Sequence, residues 1–301
     1  MKRVLVTGGA GFIGGYVCEE LTARGYEVVV FDHIRRESPH EVFLGDIRDE
    51  VAVNEAVAHA EGVLHLGGVL GTQETIANPR PAAYTNVIGG LNVLEACNEY
   101  DVPLVNIAVG NFWENNTYSI TKNTVERFAE MYSRYRGSRV SVVRALNAYG
   151  PRQVAAEPFG PSRVRKVMPS FVCRALSGLP IEIYGDGMQI MDMIYVSDVA
   201  HILVQVLEKT EKQGSCGTFE AGTGRRTTVN DIAHIVTGEV ADQTGVVADI
   251  VHLPMRPGEG ERSIVIGDPK TLEPLDGWQL LPLEIGAERT VTYFRDYLSK
   301  R

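Results

Sequence analysis

Residues 4–17 read VLVTGGAGFIGGYV, an apolar run that breaks into glycines and resumes as a second apolar stretch. Val4, Leu5 and Val6 have the character of a buried strand, and Phe12 to Val17 can open a helix. Gly8, Gly11 and Gly14 fall on the turn between them, and Gly9, Gly11 and Gly14 also satisfy the G-x-G-x-x-G spacing. Glycines there allow a tight turn, a close backbone approach to a pyrophosphate and close packing of helix on strand, while the helix's first-turn N–H groups face the phosphates. A glycine-rich turn alone is a weak sign. Here a second strand, EVVVF (27–31), follows and ends at Asp32, at the distance of about 20 residues expected of a carboxylate that bonds an adenosine ribose. That carboxylate accepts from a 2′-hydroxyl and repels a 2′-phosphate, so NAD is expected rather than NADP. Arg35 and Arg36 oppose the preference, because arginines are what a 2′-phosphate needs.

Outward from this turn, the strand-like runs RVLVT (3–7), EVVVF, GVLHLG (62–67), PLVNIA (103–108) and RVSVVRA (139–145) alternate with helical periodicity. Such alternation predicts an α/β fold, a Rossmann-type doubly wound parallel sheet with helices on both faces. Gly25 stands at a helix C-terminus, Asp101-Val102-Pro103 closes another helix, and Gly137 ends the helix that carries Tyr118 and Lys122. Beyond Gly150-Pro151 short strands, turns and helices mix without a repeat. Residues 1–160 are expected to form an NAD-binding domain, with 190–210 returning to it, and 161–301 a smaller C-terminal α/β lobe for substrate.

The 301 residues are 44% apolar with a formal charge of −9, and Lys and Arg form only short runs. That argues against a nucleic-acid surface. The four cysteines, Cys18, Cys97, Cys173 and Cys216, have no C-x-x-C pair and no histidine at ligand spacing, so no metal is expected and the thiols read as reduced. MKRVLVTGG has no signal-peptide character and no apolar run reaches membrane-spanning length. A cytoplasmic protein with no membrane partner is the expectation.

The chain resembles the extended short-chain dehydrogenase/reductase family, and within it the NAD-dependent nucleotide-sugar epimerases and dehydratases, UDP-glucose 4-epimerases among them. The resemblance rests on TGGAGFIG (7–14), GDIRD (45–49), HLGG (65–68), TNVIGGLNVLEA (85–96), YSITK (118–122), RALNAYGPRQ (144–153), IYGDGMQIMDMIYVSDVA (183–200) and RPGEGERS (256–263). It implies NAD held by Gly8, Gly11, Phe12, Ile13, Gly14 and Asp32, with Asp46 and Ile47 beside the adenine and Leu66, Gly67 and Gly68 along the cofactor. It further implies Tyr118 and Lys122 as the catalytic pair, Lys122 also holding the nicotinamide ribose, and Asn86 securing the neighbouring strand edge. Asn147 and Arg256 would meet the phosphates of a nucleoside diphosphate sugar, with Met168 near its base. Helices around 89–100 and 118–136 would pack in a homodimer. Read without the family, His65 is a satisfied core histidine.

Two departures stand out. Met191 occupies a position where the family commonly has a phosphate-binding arginine, so Arg256, or a residue such as Arg152, is expected to supply more of the charge. Where a Ser or Thr would assist the tyrosine, the chain reads Ile107-Ala108-Val109-Gly110, and only eight residues separate Val109 from Tyr118. Thr117, Asn111, Asn116 or a bound water could replace the hydroxyl, although Asn115, Asn116 and Thr117 are also natural helix caps. A phenol's ordinary pKa is about 10, and the Lys122 ammonium together with the positive nicotinamide should favour the phenolate. Gly110-Asn111-Phe112 lacks the acid and base that water elimination requires. The expectation is therefore an NAD-dependent 4-epimerase of a UDP-hexose or UDP-hexuronic acid. The alternatives are a dehydratase, decarboxylase or ketosugar reductase that uses Glu114, and a non-catalytic protein that binds NAD and a sugar nucleotide.

Overall fold

The computed structural model describes residues 2–260, 262–275 and 277–300, so Glu261 of RPGEGERS lies outside the described residues. The glycine turn joins β1 (Arg3–Thr7) to α1 (Phe12–Ala23), followed by β2 (Glu27–Asp32), β3 (Glu41–Leu44), α2 (Glu50–Val57) and β4 (Gly62–His65). A short α3 (Arg80–Ala82) runs through a π-helical stretch, Ala83–Ile88, into α4 (Gly89–Glu99). Then come β5 (Leu104–Val109), α5 (Thr117–Arg136), β6 (Val140–Ala145), β7 (Asn147–Tyr149), α6 (Val167–Leu176), β8 (Ile181–Tyr184), β9 (Ile190–Met191) and β10 (Met193–Tyr195). The chain closes with α7 (Val196–Gln213), β11 (Gly217–Ala221), β12 (Thr227–Thr228), α8 (Val229–Thr244), β13 (Ile250–Leu253), β14 (Ile264–Val265) and α9 (Leu283–Leu298).

The main sheet has seven strands in the order β11-β6-β5-β4-β1-β2-β3, all paired in parallel. Every residue of β4 and β5 is buried, as expected of central strands covered on both faces. The chain winds outward from β1 through β2 to β3, then crosses back to β4 on the other side of β1. That reversal opens a crevice at the C-terminal ends of β1 and β4, where doubly wound sheets bind ligands.

One face of the sheet packs Val6, Val105 and Val143 against Val17 and Leu21 of α1 and Val199 and Leu203 of α7. The opposite face packs Leu5, Val63 and Val142 against Val53 of α2, Val93 of α4 and Val125 and Ala129 of α5. A third core gathers Phe171 of α6, Ile183 of β8, Val236 of α8 and Phe294 of α9 around Tyr149. The ends of α5 follow the sequence: the Asn116 side chain caps it by accepting from Ser119 N–H, and Gly137 terminates it at φ +70°. Gly25, beyond α1, likewise has φ +82°. Among the described residues no helix is long and apolar enough to cross a membrane and no group of residues could hold a metal ion. The four cysteines are free thiols, three of them buried.

Candidate active site

A cleft of about 770 Å³ runs along the C-terminal ends of β1, β2, β4 and β5 and passes between α5 and the α6 side of the molecule. At one end, the backbone geometry explains the glycines. Gly8 has φ +70°, and a Cβ there would stand 2.8 Å from Gly67 N, so the tips of β1 and β4 touch. At Gly14 a Cβ would stand 2.3 Å from Gly8 O and 2.7 Å from Gly9 Cα, which leaves no room for a side chain where α1 meets the turn. Gly11 caps α1 without a side-chain bond, and helix geometry leaves the first-turn N–H groups of Phe12 and Ile13 without intrahelical acceptors. Asp32, 9% exposed at the end of β2, accepts from Ala10 N–H at 3.2 Å and Ile34 N–H at 3.1 Å. Asp46 forms a turn by accepting from Arg48 N–H at 2.9 Å, and the Arg48 guanidinium holds its carboxyl below the usual range. Arg36 lines this end of the cleft while Arg35 does not. A dinucleotide fits here: the cradle excludes side chains, the helix offers free donors, and a carboxylate waits at the β2 tip.

Deeper in, Tyr118 and Lys122 lie one turn apart on α5 and both line the cleft. Burial pulls the Lys122 amine down to about 8, opposed by the Glu126 carboxylate one turn further on. Burial alone pushes the Tyr118 phenol up to about 12. Burial of the anion thus opposes the phenolate that Lys122 and a positive nicotinamide together are expected to favour. Asn86 fastens this wall: its Oδ1 accepts from Val69 N–H at 2.7 Å and its Nδ2 donates to Val69 O at 3.1 Å and Thr121 Oγ1 at 2.9 Å. His65 is buried and neutral, its Nδ1 2.7 Å from Thr7 Oγ1, and burial first, with Lys122 adding, drives it down to about 3.

The three side chains considered as replacements for the missing hydroxyl are already engaged. Asn116 caps α5 and donates to Glu114, Asn111 also donates to Glu114, and Thr117 donates to Thr75 O at 3.1 Å. A Cβ on Gly110 would come within 2.2 Å of Leu146 Cδ1, so the shortened loop is pressed onto its neighbours. Glu114 is fixed by Asn111 Nδ2 at 2.8 Å and Asn116 Nδ2 at 3.1 Å on one oxygen and by Ser263 Oγ at 2.8 Å on the other.

Gly8, Gly11, Phe12, Ile13, Gly14, Asp32, Asp46, Ile47, Leu66, Gly67, Gly68, Tyr118, Lys122, Asn147, Met168 and Arg256 all line this one cleft. Asn147 donates to Asp192 O, and Met168 is 1% exposed. Arg256 pairs with Glu259, its Nε 3.1 Å from Oε2, and lies 4.6 Å from the centre of the Tyr184 ring. Arg152 is elsewhere: at φ +66° it turns to Glu19 and lies over the Tyr16 ring at 3.9 Å, outside the lining of the cleft. Arg165 and Lys166, which sequence reasoning missed, line the same cleft as Arg256 and Met191. Their signal was the basic run Arg163-Val164-Arg165-Lys166 ahead of a helix. Arg165 donates to Glu182 at 2.9 Å and to the Tyr184 hydroxyl at 2.7 Å. Lys166 has no carboxylate within 4 Å among the described residues, and burial lowers its pKa, with Arg256 repelling its proton and Glu74 and Glu259 favouring it.

A seven-stranded parallel sheet with a dinucleotide cradle and a Tyr/Lys pair in one cleft defines an NAD-linked α/β enzyme. The profile of the NAD dependent epimerase/dehydratase family matches residues 4–222, and the chain belongs to that family, whose cofactor is NAD. It is thus an enzyme of the extended short-chain dehydrogenase/reductase type, among the nucleotide-sugar epimerases, dehydratases and decarboxylases. The crystal structure of UDP-glucose 4-epimerase with UDP-glucose from Thermotoga maritima is similar at 31% identity and a TM-score of 0.86, covering 98% of this chain and 99% of its own. The dTDP-glucose 4,6-dehydratase of Streptomyces antibioticus is 30% identical over 98% of this chain and 92% of its own length. A UDP-N-acetyl-alpha-D-glucosaminuronate decarboxylase of Bacillus cytotoxicus is 26% identical over 98% of each.

Proposed function

We propose that the protein is an NAD-dependent nucleotide-sugar 4-epimerase acting on a UDP-hexose or UDP-hexuronic acid. The observation that carries this reading is that Tyr118 and Lys122 share one cleft with the dinucleotide cradle, while Gly110-Asn111-Phe112 brings no acid–base pair to the same wall. NAD held in this cradle would supply the reversible hydride acceptor. Tyr118 takes the proton of the sugar's 4-hydroxyl and gives it back after the ketosugar has turned over, so no net proton or hydride leaves the site. Lys122, charged below about pH 8, holds a ribose hydroxyl and adds positive potential beside the phenol. The first-turn N–H groups of Phe12 and Ile13 and the Asp32 carboxylate bind the dinucleotide, with Asp46, Ile47 and Leu66 to Gly68 along it. Asn147, Met168 and Arg256 are assigned to the sugar nucleotide. The same assignment divides the chain near residue 160, with 190–210 returning to the NAD domain.

A second reading, elimination or decarboxylation, is favoured by one feature, the Glu114 carboxylate on the cleft wall. Proton NMR of the protein with UDP-, dTDP-, GDP- and CDP-sugars in D₂O separates the two. A C4 epimer free of deuterium is the expected product. Deuterium on carbon would refute epimerisation by direct hydride return, and bound NAD with no product from any sugar would leave a binding protein. Tyr84, Ile88, Ile120 and Tyr135 are exposed on or beside α4 and α5, which supports assigning that face to a homodimer. A cytoplasmic location belongs to the same proposal.

A further inference from the structure

The sugar end of the cleft is balanced in charge before any ligand enters. Beyond Lys122, its lining carries Arg165, Lys166 and Arg256 against Glu114, Glu182 and Glu259. Arg165 is already paired with Glu182 and Arg256 with Glu259. Lys166 is the cation of this group with no carboxylate within 4 Å among the described residues. A nucleoside diphosphate brings two negative charges of its own, and Lys166 and Arg256, close enough to repel one another, are where those charges are best met.

Glu114 stands on the wall where the sugar must lie. Its carboxylate bonds the Asn116 side chain that caps the helix of Tyr118, and Ser263 of the facing segment bonds its other oxygen. Three donors to two oxygens fix its position. Its charge is felt by Glu259 across the cleft. Glu114 is therefore placed to read the sugar rather than to move the proton of its 4-hydroxyl.

Resting on the nucleotide-sugar reading above, we infer that Glu114 is a specificity-determining residue that selects a nucleotide sugar with an uncharged hexose and rejects the corresponding hexuronate. The lone pairs left on its carboxylate accept from sugar hydroxyls. A carboxylate at C6 would put a second anion beside Glu114, and like charges a few ångströms apart in a partly enclosed cleft cost an order of magnitude or more in affinity.

The test is calorimetric binding of UDP-glucose, UDP-glucuronate and UDP to the NAD-loaded full chain and to its Glu114→Gln and Glu114→Ala variants. The wild type should bind UDP-glucose about tenfold or more tighter than UDP-glucuronate. Both variants should close that gap to about threefold or less while UDP binds as before. Equal or tighter binding of the uronate by the wild type overturns the inference, whatever the variants do. So does a gap that persists in either variant that still binds UDP. UDP-glucose bound selectively but never epimerised would refute the 4-epimerase reading alone, and preferred epimerisation of the uronate would refute the inference alone.

Discussion

Replacing Lys122 by Met should stabilise the protein while abolishing its chemistry. The side chain is 5% exposed, and its amine is drawn from an ordinary 10.5 to about 8, by burial first and against the help of Glu126. Because the folded value lies below the unfolded one, the unfolded chain binds this proton more tightly. The penalty for carrying the charge is felt in full below pH 8, fades as the pH rises from 8 towards 10.5, and vanishes above. Each pH unit of displacement is worth about 1.4 kcal/mol, so the penalty is on the order of 3 kcal/mol at pH 7 and about 1.5 kcal/mol at pH 9.5. Methionine keeps the length and the apolar stem and removes the charge. Glu126 loses a favourable neighbour but keeps Arg144, whose Nε lies 2.9 Å away, so a net gain of roughly 2–3 kcal/mol at pH 7 is expected. In a chain of this size that is a rise of roughly 3–5 °C in Tm. Urea unfolding of both proteins without added nucleotide, at pH 7 and pH 9.5, measures the difference, and turnover should be lost in parallel. A variant less stable at pH 7, or an advantage that does not shrink at pH 9.5, would refute the reasoning.

Tyr118→Phe should lower turnover by a factor of roughly 10² to 10⁴, the usual worth of an acid–base group, and leave NAD bound; full activity would sink the assignment. His65, held near 3 in the fold, binds its proton more weakly there than in the unfolded chain, so stability is lost as pH falls below 6.5. The loss is about 2 kcal/mol by pH 5, and His65→Leu should show a flatter stability profile between pH 7.5 and 5 in urea melts even though it forfeits the Thr7 bond. Gly14→Ala places a Cβ 2.3 Å from Gly8 O and should weaken NAD binding by about tenfold or more, read by fluorescence titration, because the pyrophosphate cradle must shift. Unchanged affinity there would mean that the loop does not grip the cofactor.

The parts of this site that can be read from sequence are those fixed over short stretches of chain. Gly8 to Gly14 reveal a dinucleotide turn because both the φ of +70° at Gly8 and the crowding at Gly14 are demands made by residues a few positions away. The Tyr118/Lys122 pair is legible for the same reason, since one helical turn sets it. Charge partners are not local. Arg152 and Lys166 look alike in the sequence, yet one is taken by Glu19, 133 residues earlier, and the other is left facing the cleft. Glu114 is more instructive. As a residue of a short loop it reads as a stand-in acid or base, and only the bond from Ser263, 149 residues away, reveals a carboxylate tied down at both oxygens. The burial of the Tyr118 phenol is illegible for a related reason: its neighbour on the helix can be seen in the sequence, but burial is a property of the whole cleft. Such long-range charge placement is not written in local motifs, which is why the family can be read from the sequence and the sugar cannot.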